Sequence, residues 1–430
     1  MNKDDKRKGV NRHMNTKREE IVEGDILSLV KNYCGSRVVS KFIADQKSGY
    51  KMERRVLDQI NGQAAPGTME PELSLNGGMS HDHLMTLCKQ NLNDDEYQGM
   101  LLGIGNIFKQ HGRLDKAEQM YGMVIGYGRK ANHSDYAAEA LLRRGEVYSL
   151  QARWVQAAHD LDSSRQLFLK SNNAVAVARI DNIFGANDAE QGHIKKAEQW
   201  FAKALRRFER SKQKPMTGTV MMNLGIVKNI AGNWDEALSY YRRALPFFQE
   251  AGDLTRIAEL RHNMGMSYHS KGNYQEAIRE FDKSLVFSQQ LYNPRLIGLS
   301  ELGKASAYFR LNDRPLALVF CNQALGHFTA VNSRLCIADG YKLKGMIFRE
   351  MKEYNLAETY FQSSLLINEE HTNLLNLAET HHEIGIMHRQ RRRRKAADAS
   401  FRTALKYFKS VGAGSDVVRT QASLSRREST

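Results

Sequence analysis

The apolar positions of this chain recur on a forty-residue grid. Small residues stand at Gly105, Gly145, Gly185, Gly225, Gly265, Ala305, Gly345 and Gly385. Twelve residues after each comes an alanine: Ala117, Ala157, Ala197, Ala237, Ala277, Ala317, Ala357 and Ala397. An aromatic often lies nine residues after the small position (Trp154, Trp234, Tyr274, Tyr354) and another sixteen after it (Tyr121, Phe201, Tyr241, Phe281, Phe361, Phe401). Leucine at plus twenty (Leu205, Leu245, Leu285, Leu325, Leu365, Leu405) completes an apolar stripe at helical spacing. This spacing predicts two antiparallel helices per period. The small residue and the alanine let the backbones approach where the helices cross, while the aromatic and leucine side chains fill the space around the crossing. One such pair cannot bury its apolar face alone, so neighbours must stack into a solenoid.

Prolines test this frame. Pro215 and Pro294 fall where first helices begin, and Pro315 where a second helix begins, positions at which the missing N–H has no partner to lose. Pro246 lies late in a second helix and predicts a kink or an early end there. Upstream, Ile21, Ile26, Leu27, Leu29 and Val30, then Val38, Val39, Phe42 and Ile43, then Met52, Val56, Leu57 and Ile60 are spaced as in two or three short helices. The expected organisation is a disordered basic tail over 1–17, an N-terminal helical segment over 18–61 and a Gly/Pro-marked linker over 62–79. A capping helix over 80–93, eight repeats over 94–412 and a C-terminal capping helix and tail over 413–430 follow.

The stretch Leu224-Gly225, Gly232-Asn233-Trp234-Asp235-Glu236-Ala237, Tyr241, Ala244-Leu245 resembles the tetratricopeptide repeat, and the likeness extends over roughly residues 80 to 427. The forty-residue period is similar to the long-helix subclass found in spindle-orientation adaptors, kinesin light chains and bacterial peptide-sensing regulators. The resemblance implies an all-α fold, a right-handed superhelical solenoid of about eight helical hairpins plus capping helices, with first helices lining a concave groove. A fold of this kind serves many unrelated functions, so the site must be argued from residues.

Composition narrows the field. The chain has 430 residues with 26% charged and 41% hydrophobic side chains and six prolines, which suits a long helical array. Its four cysteines (Cys34, Cys88, Cys321, Cys336) show neither a CxxC pair nor disulfide-like spacing, so a reducing cytoplasm is expected. No apolar run near twenty residues predicts a membrane span, and the charged first twenty residues predict no secretory signal. The net charge of +15 is concentrated at one end: residues 389–430 carry twelve basic and three acidic side chains.

The resemblance implies that positions six and three before the small residue, and one, four and five after it, face the groove. The candidates are Met222, Asn229, Glu259, His262, Met266, His269, Leu302, Phe309, Arg310, Lys342, Met346, Arg349, Glu379, His382, Ile386 and Arg389. That mixture suits an amphipathic helix or extended segment of a protein partner, against the alternative of a merely solvated inner face. Asn223 and Asn263, two before Gly225 and Gly265, resemble asparagines that hydrogen-bond a bound backbone in the long-repeat subclass; capping or bridging neighbouring helices is the other reading. Lys342, with Met346 where the family's chaperone-tail clamp needs asparagine, argues against a C-terminal carboxylate as ligand.

Arg391, Arg392, Arg393, Arg394 and Lys395 replace the interhelix turn of the last repeat, and Arg402, Lys406 and Lys409 share one face of the next helix. Such an end could meet phosphates or an acidic partner in a salt-dependent way, or simply keep the solenoid end solvated. Nucleic acid is the weaker expectation, because no nucleic-acid module accompanies the patch. Gly122, Gly126 and Gly128 mimic a phosphate loop but fall within a second helix, where helix packing is expected. The histidines, including His81, His83, His381, His382 and His388, lack the Cys or acidic partners of a metal site. With no nucleophile, paired-carboxylate or nucleotide motif, the sequence predicts no enzyme, no cofactor and no metal. The resulting expectation is a non-enzymatic scaffold or adaptor. The alternative is a peptide-sensing regulator whose N-terminal helices or basic end act on a target protein or nucleic acid.

Overall fold

The computed structural model describes residues 21–45, 79–131 and 134–425. The expected tail over 1–17, the apolar positions Met52 to Ile60 and most of the linker lie outside them. Every described element is a helix. α1 (residues 21–45) and α2 (Met79–Asn91) precede an array in which seven helical hairpins are described. These are α3 (Asp94–Gln110) with α4 (Leu114–Ala131), α5 (Ser134–Leu150) with α6 (Trp154–Lys170) and, after the helices α7 (Ala174–Glu190) and α8 (Ile194–Arg210), α9 (Lys214–Ile230) with α10 (Trp234–Ala251). Then come α11 (Leu254–Lys271) with α12 (Tyr274–Gln290), α13 (Pro294–Arg310) with α14 (Arg314–Ala330), α15 (Arg334–Glu350) with α16 (Tyr354–Glu370), and α17 (Leu374–Gln390) with α18 (Arg394–Ser410), before a final α19 (Gly414–Ser425). The chain divides into two compact units, Met1–Gln191 and Gly192–Thr430.

The crossing of each hairpin is tighter than the period alone implies. A Cβ placed on Gly225 would lie 2.4 Å from the Tyr241 ring; on Gly265, 2.6 Å from Phe281; on Gly385, 2.6 Å from Phe401. The small residue is therefore required by the aromatic at plus sixteen, whose ring packs against the first helix, as well as by the backbone approach. The sixth repeat inverts both sizes. Ala305 fills the glycine position and Cys321 the aromatic one, and both are fully buried. An added methyl is matched by a smaller partner, so the crossing keeps its volume.

The turns also follow the frame. The residue seven after the small one adopts a left-handed conformation whether it is Gly232 (φ 80), Gly272 (φ 88) or Arg392 (φ 57). Asn173, Asp253, Asn293, Asp313 and Asn373 then cap first or second helices by accepting a backbone N–H three residues on. Two sequence expectations are corrected. Of the kink or early end expected at Pro246, the early end does not occur: α10 runs to Ala251. Pro246 and Arg242, four residues back, are both exposed, so the carbonyl left without its helical partner can turn to water. Nor, among the described residues, do Gly122 and Gly126 pack a helix: a Cβ on Gly126 would meet nothing within 4 Å, and one on Gly122 only the Arg144 Nη1 at 3.8 Å.

In the first unit, α1 is docked on the array. Leu29 sits over Gly103 and Tyr33 over Gly99, where added Cβ atoms would lie 2.7 and 3.2 Å from their side chains. Asp25 pairs with His111 at 2.9 Å. As α1 advances, its partners on α3 recede, so the two run antiparallel. Successive first helices instead meet in parallel, as Lys109 with Glu146 and Glu139 with Arg179 show. Val22, Ile26, Val30, Val38 and Phe42 of α1 join Leu84, Leu87 and Cys88 of α2 in one core, covering the apolar edge of the first repeat.

Candidate functional site

In the second unit, the first helices α9, α11, α13, α15 and α17 present two distinct stripes. Positions minus three and plus four lie seven residues apart on one side of each helix, and that side meets the next first helix. His262 Nδ1 lies 3.4 Å from Ser300 Oγ, with its ring 5.4 Å from that of Phe281. Asn229 accepts a hydrogen bond of 2.8 Å from Ser267, and His269 Nε2 pairs with Ser306 at 3.0 Å. His382 Nδ1 pairs with Thr420 at 2.9 Å, and Arg389 donates to the Ser423 carbonyl at 2.7 Å while lying over the Phe401 ring. Burial pushes the His262 imidazole from 6.5 down to about 4, and it also lowers the pKa of His269 and His382.

Between α15 and α17 the same two positions are charged. Lys342 binds Glu379, Asn376 and Asp339. Burial opposes its charge, but Glu379 and Asp339 outweigh burial and hold its pKa above the ordinary lysine value. Arg349, only 6% exposed, pairs with Glu350 at 3.0 Å and with Glu383.

These contacts correct part of the sequence assignment. Met222 is 4% exposed and packs with Tyr241, Leu260 and Met264; it belongs to the core rather than to an open face. His382 is 3% exposed, and Leu302, Phe309 and Met346 pack half-buried against core clusters. Position minus three fails as a groove position because it lies about 100° from position minus two, on the side turned to the neighbouring repeat.

The other stripe holds positions minus six, minus two, plus one and plus five. On α9 these are Thr219, Asn223, Ile226 and Ile230; on α11, Glu259, Asn263 and Met266; on α17, Glu379, Glu383, Ile386 and Gln390, all partly or fully exposed. Ile230 is 58% and Met266 40% exposed. Glu259 pairs with Arg256 at 2.9 Å, and the exposed Arg310 donates to Tyr274 at 3.3 Å. Thr219, Ile226, Ile230, Asp339, Glu350 and Glu383 were missed by sequence reasoning. Their signal was available in the i, i+4, i+7, i+11 spacing they share with Asn223 or Met266. The stripe changes character along the unit. α9 and α11 offer amides and apolar groups with the single carboxylate Glu259, whereas α15 and α17 offer Asp339, Glu350, Glu379 and Glu383 against the cations Lys342 and Arg349.

At the basic end, Arg391 is half-buried, 3.5 Å from Glu358 and over the Tyr354 ring. Arg392, Arg393, Arg394, Lys395, Arg402, Lys406 and Lys409 are exposed. Among the described residues no group of three or more His, Cys, Asp or Glu is arranged to hold a metal ion, and no helix is long and apolar enough to cross a membrane.

The tetratricopeptide repeat family matches residues 176–250, 257–295 and 338–371. No curated protein matches the sequence. Among solved structures, the apo form of the quorum sensor NprR from B. thuringiensis aligns with a TM-score of 0.60 at 14% identity, covering 77% of this chain and 92% of that one. A Rap protein complexed with competence and sporulation factor aligns at 0.52 and 16%, covering 81% and 98%. Aspartyl phosphate phosphatase F from Bacillus subtilis aligns at 0.53 and 13%, covering 82% and 93%. At these identities the likeness is one of fold.

Proposed function

Because the chain is a tetratricopeptide-repeat protein, we propose that it is a non-enzymatic, cytoplasmic binding scaffold that takes a peptide or helical segment of another protein on the open stripe of α9 to α17. The observation that carries this reading is the pairing on α9 and α11 of half-buried Asn223 and Asn263 with the exposed apolar Ile230 and Met266. An amide can both donate to and accept from a peptide backbone, while Ile and Met supply apolar contact that adapts to shape. The fold likeness to a Rap protein holding competence and sporulation factor supports a peptide-sized occupant. The non-enzymatic part rests on how the polar groups are used: His262, His269, Asn229 and Arg349 bridge successive repeats rather than converge on a cleft. The likeness to a phosphatase is one of fold.

A regulator whose N-terminal helices act as a separable module is the second reading. The burial of α1 against α2 and α3 favours the scaffold over it. The deciding experiment is a nuclease-treated pull-down at low and moderate salt. It compares wild type with Asn223→Ala/Asn263→Ala, with Ile230→Asp, and with Gln across Arg391 to Lys395. A partner lost from the first two variants yet retained at moderate salt is the expected result. Partners lost only from the Gln variant, or lost with salt and nuclease, would move the function to the basic end.

A further inference from the structure

The first unit carries a second surface. A cavity of about 640 Å³ opens between α2 and α4. Its floor is made of Tyr97 and Phe108 from α3, both 3% exposed. Its walls are methionines: Met85 from α2, and half-buried Met120 and Met123 from α4. Along α4 the lining residues Lys116, Met120, Met123 and Tyr127 are spaced by four, three and four, the ridge that one helix offers to another. Methionine side chains fill irregular contacts and suit a surface that receives a partner helix.

The charged side chains that line this cavity have one sign, with Asp94 beyond the lining acting on Lys89. Lys89 and Lys116 line it, and no carboxylate does. The Lys89 Nζ donates to the Tyr127 hydroxyl at 2.9 Å and lies 4.9 Å from the centre of that ring; the Lys116 Nζ lies 5.5 Å from the Phe108 ring. Neither makes an ion pair among the described residues, whereas Lys109, Lys228, Lys271, Lys304 and Lys342 each do. Beside the ridge, Gly126 presents bare helix with nothing within 4 Å, and Gly122 nearly so. Glycine within a helix weakens it, and the usual return is close approach by a neighbour; among the described residues Gly126 has none and Gly122 only the tip of Arg144.

We propose that the α2–α4 cavity is a docking groove for an acidic amphipathic helix of another protein. The apolar face of that helix lies on Met85, Met120, Met123 and Tyr127. Its carboxylates meet Lys89 and Lys116, and its backbone runs close to α4 beside Gly126. This site is independent of the stripe on α9 to α17.

The test is a selection of helical peptides of about sixteen residues, displayed on phage, against the full chain, with counter-selection against the Met123→Glu variant. Enriched peptides are then measured by fluorescence anisotropy. The expected winners carry apolar residues at i, i+3, i+4, i+7 and flanking Glu or Asp. They lose at least tenfold in affinity on Met123→Glu and on Gly126→Leu, and they keep their affinity on Asn223→Ala/Asn263→Ala. Lys89→Glu/Lys116→Glu should reject the acidic winner and accept its Glu→Lys counterpart, a reversal that a misfolded variant cannot produce. No enrichment, winners without acidic residues, or equal binding to wild type and the charge-reversed variant would each overturn the proposal. Binding abolished by the asparagine variant alone would assign the peptides to the other site and overturn it as well.

Discussion

The seams joining α9 to α11 and α11 to α13 differ in kind from the seam joining α15 to α17, although the same repeat positions build them. The former use neutral hydrogen bonds: Asn229 with Ser267, His262 with Ser300, and His269 with Ser306. The latter buries Lys342 and Arg349 against Glu379 and Glu383. A neutral pair contributes a little whether or not its geometry is ideal, but a buried charge is tolerable only with its partner in place. The frame thus fixes which positions meet, while the residue types decide how strongly the meeting constrains register.

The largest contrast should come from breaking each seam on one side. Arg349→Ala strands Glu383, which is 16% exposed, and should cost about 3–5 kcal/mol in chemical denaturation. Arg349→Met combined with Glu383→Leu should recover most of that loss, and failure to recover would mean that the pair supplies stability beyond mutual neutralisation.

Asn229→Ala and Ser267→Ala should each cost about 1–2 kcal/mol, with a coupling of about 1 kcal/mol in the double-mutant cycle. A coupling near zero would remove this contact from the seam.

Acid should separate the seams next. The folded-state pKa of His262 is held near 4, below its ordinary 6.5, by burial. The unfolded chain therefore takes up the proton first, and this contribution is complete above pH 6.5 and lost as pH falls toward 4. Lys342 has the opposite sign: its raised pKa gives a contribution present below 10.5 and lost only in stronger alkali. Thermal melts between pH 4.5 and 7 should show a shallower slope for His262→Gln than for wild type, while Lys342→Met should leave the slope unchanged. The smallest effect is that of salt. Raising NaCl from about 0.05 to 0.5 M should narrow the penalty of Arg349→Ala by less than about 1 kcal/mol and leave that of Asn229→Ala unaltered, because buried pairs are screened weakly.

The hairpins were readable because their determinants recur within one period. Gly225 and Tyr241, or Gly265 and Phe281, lie on two helices joined by a tight turn, so spacing alone predicts their contact. The open face was less readable. Asn223, Asn263, Glu259 and Met266 sit on it, but Met222 and His382 were assigned to it and are buried. A forty-residue period gives the phase of a helix relative to its own partner, and the side turned to the next repeat depends on how successive hairpins stack. Gly122 and Gly126 failed for a similar reason: glycine within a helix signals that something can come close, without saying whether this chain supplies it.

The sequence by itself determined the period, the helical hairpin, the glycine-aromatic crossing and the concentration of positive charge at one end, because each follows from local spacing and composition. Only the tertiary structure decided that α1 lies antiparallel on α3, that His262, Asn229 and Arg349 join repeats, and that Met85, Met120 and Met123 from two helices wall one cavity. Those outcomes depend on how helices separated along the chain stack against one another, and stacking is set by shape complementarity over whole faces rather than by any single residue's neighbours in sequence.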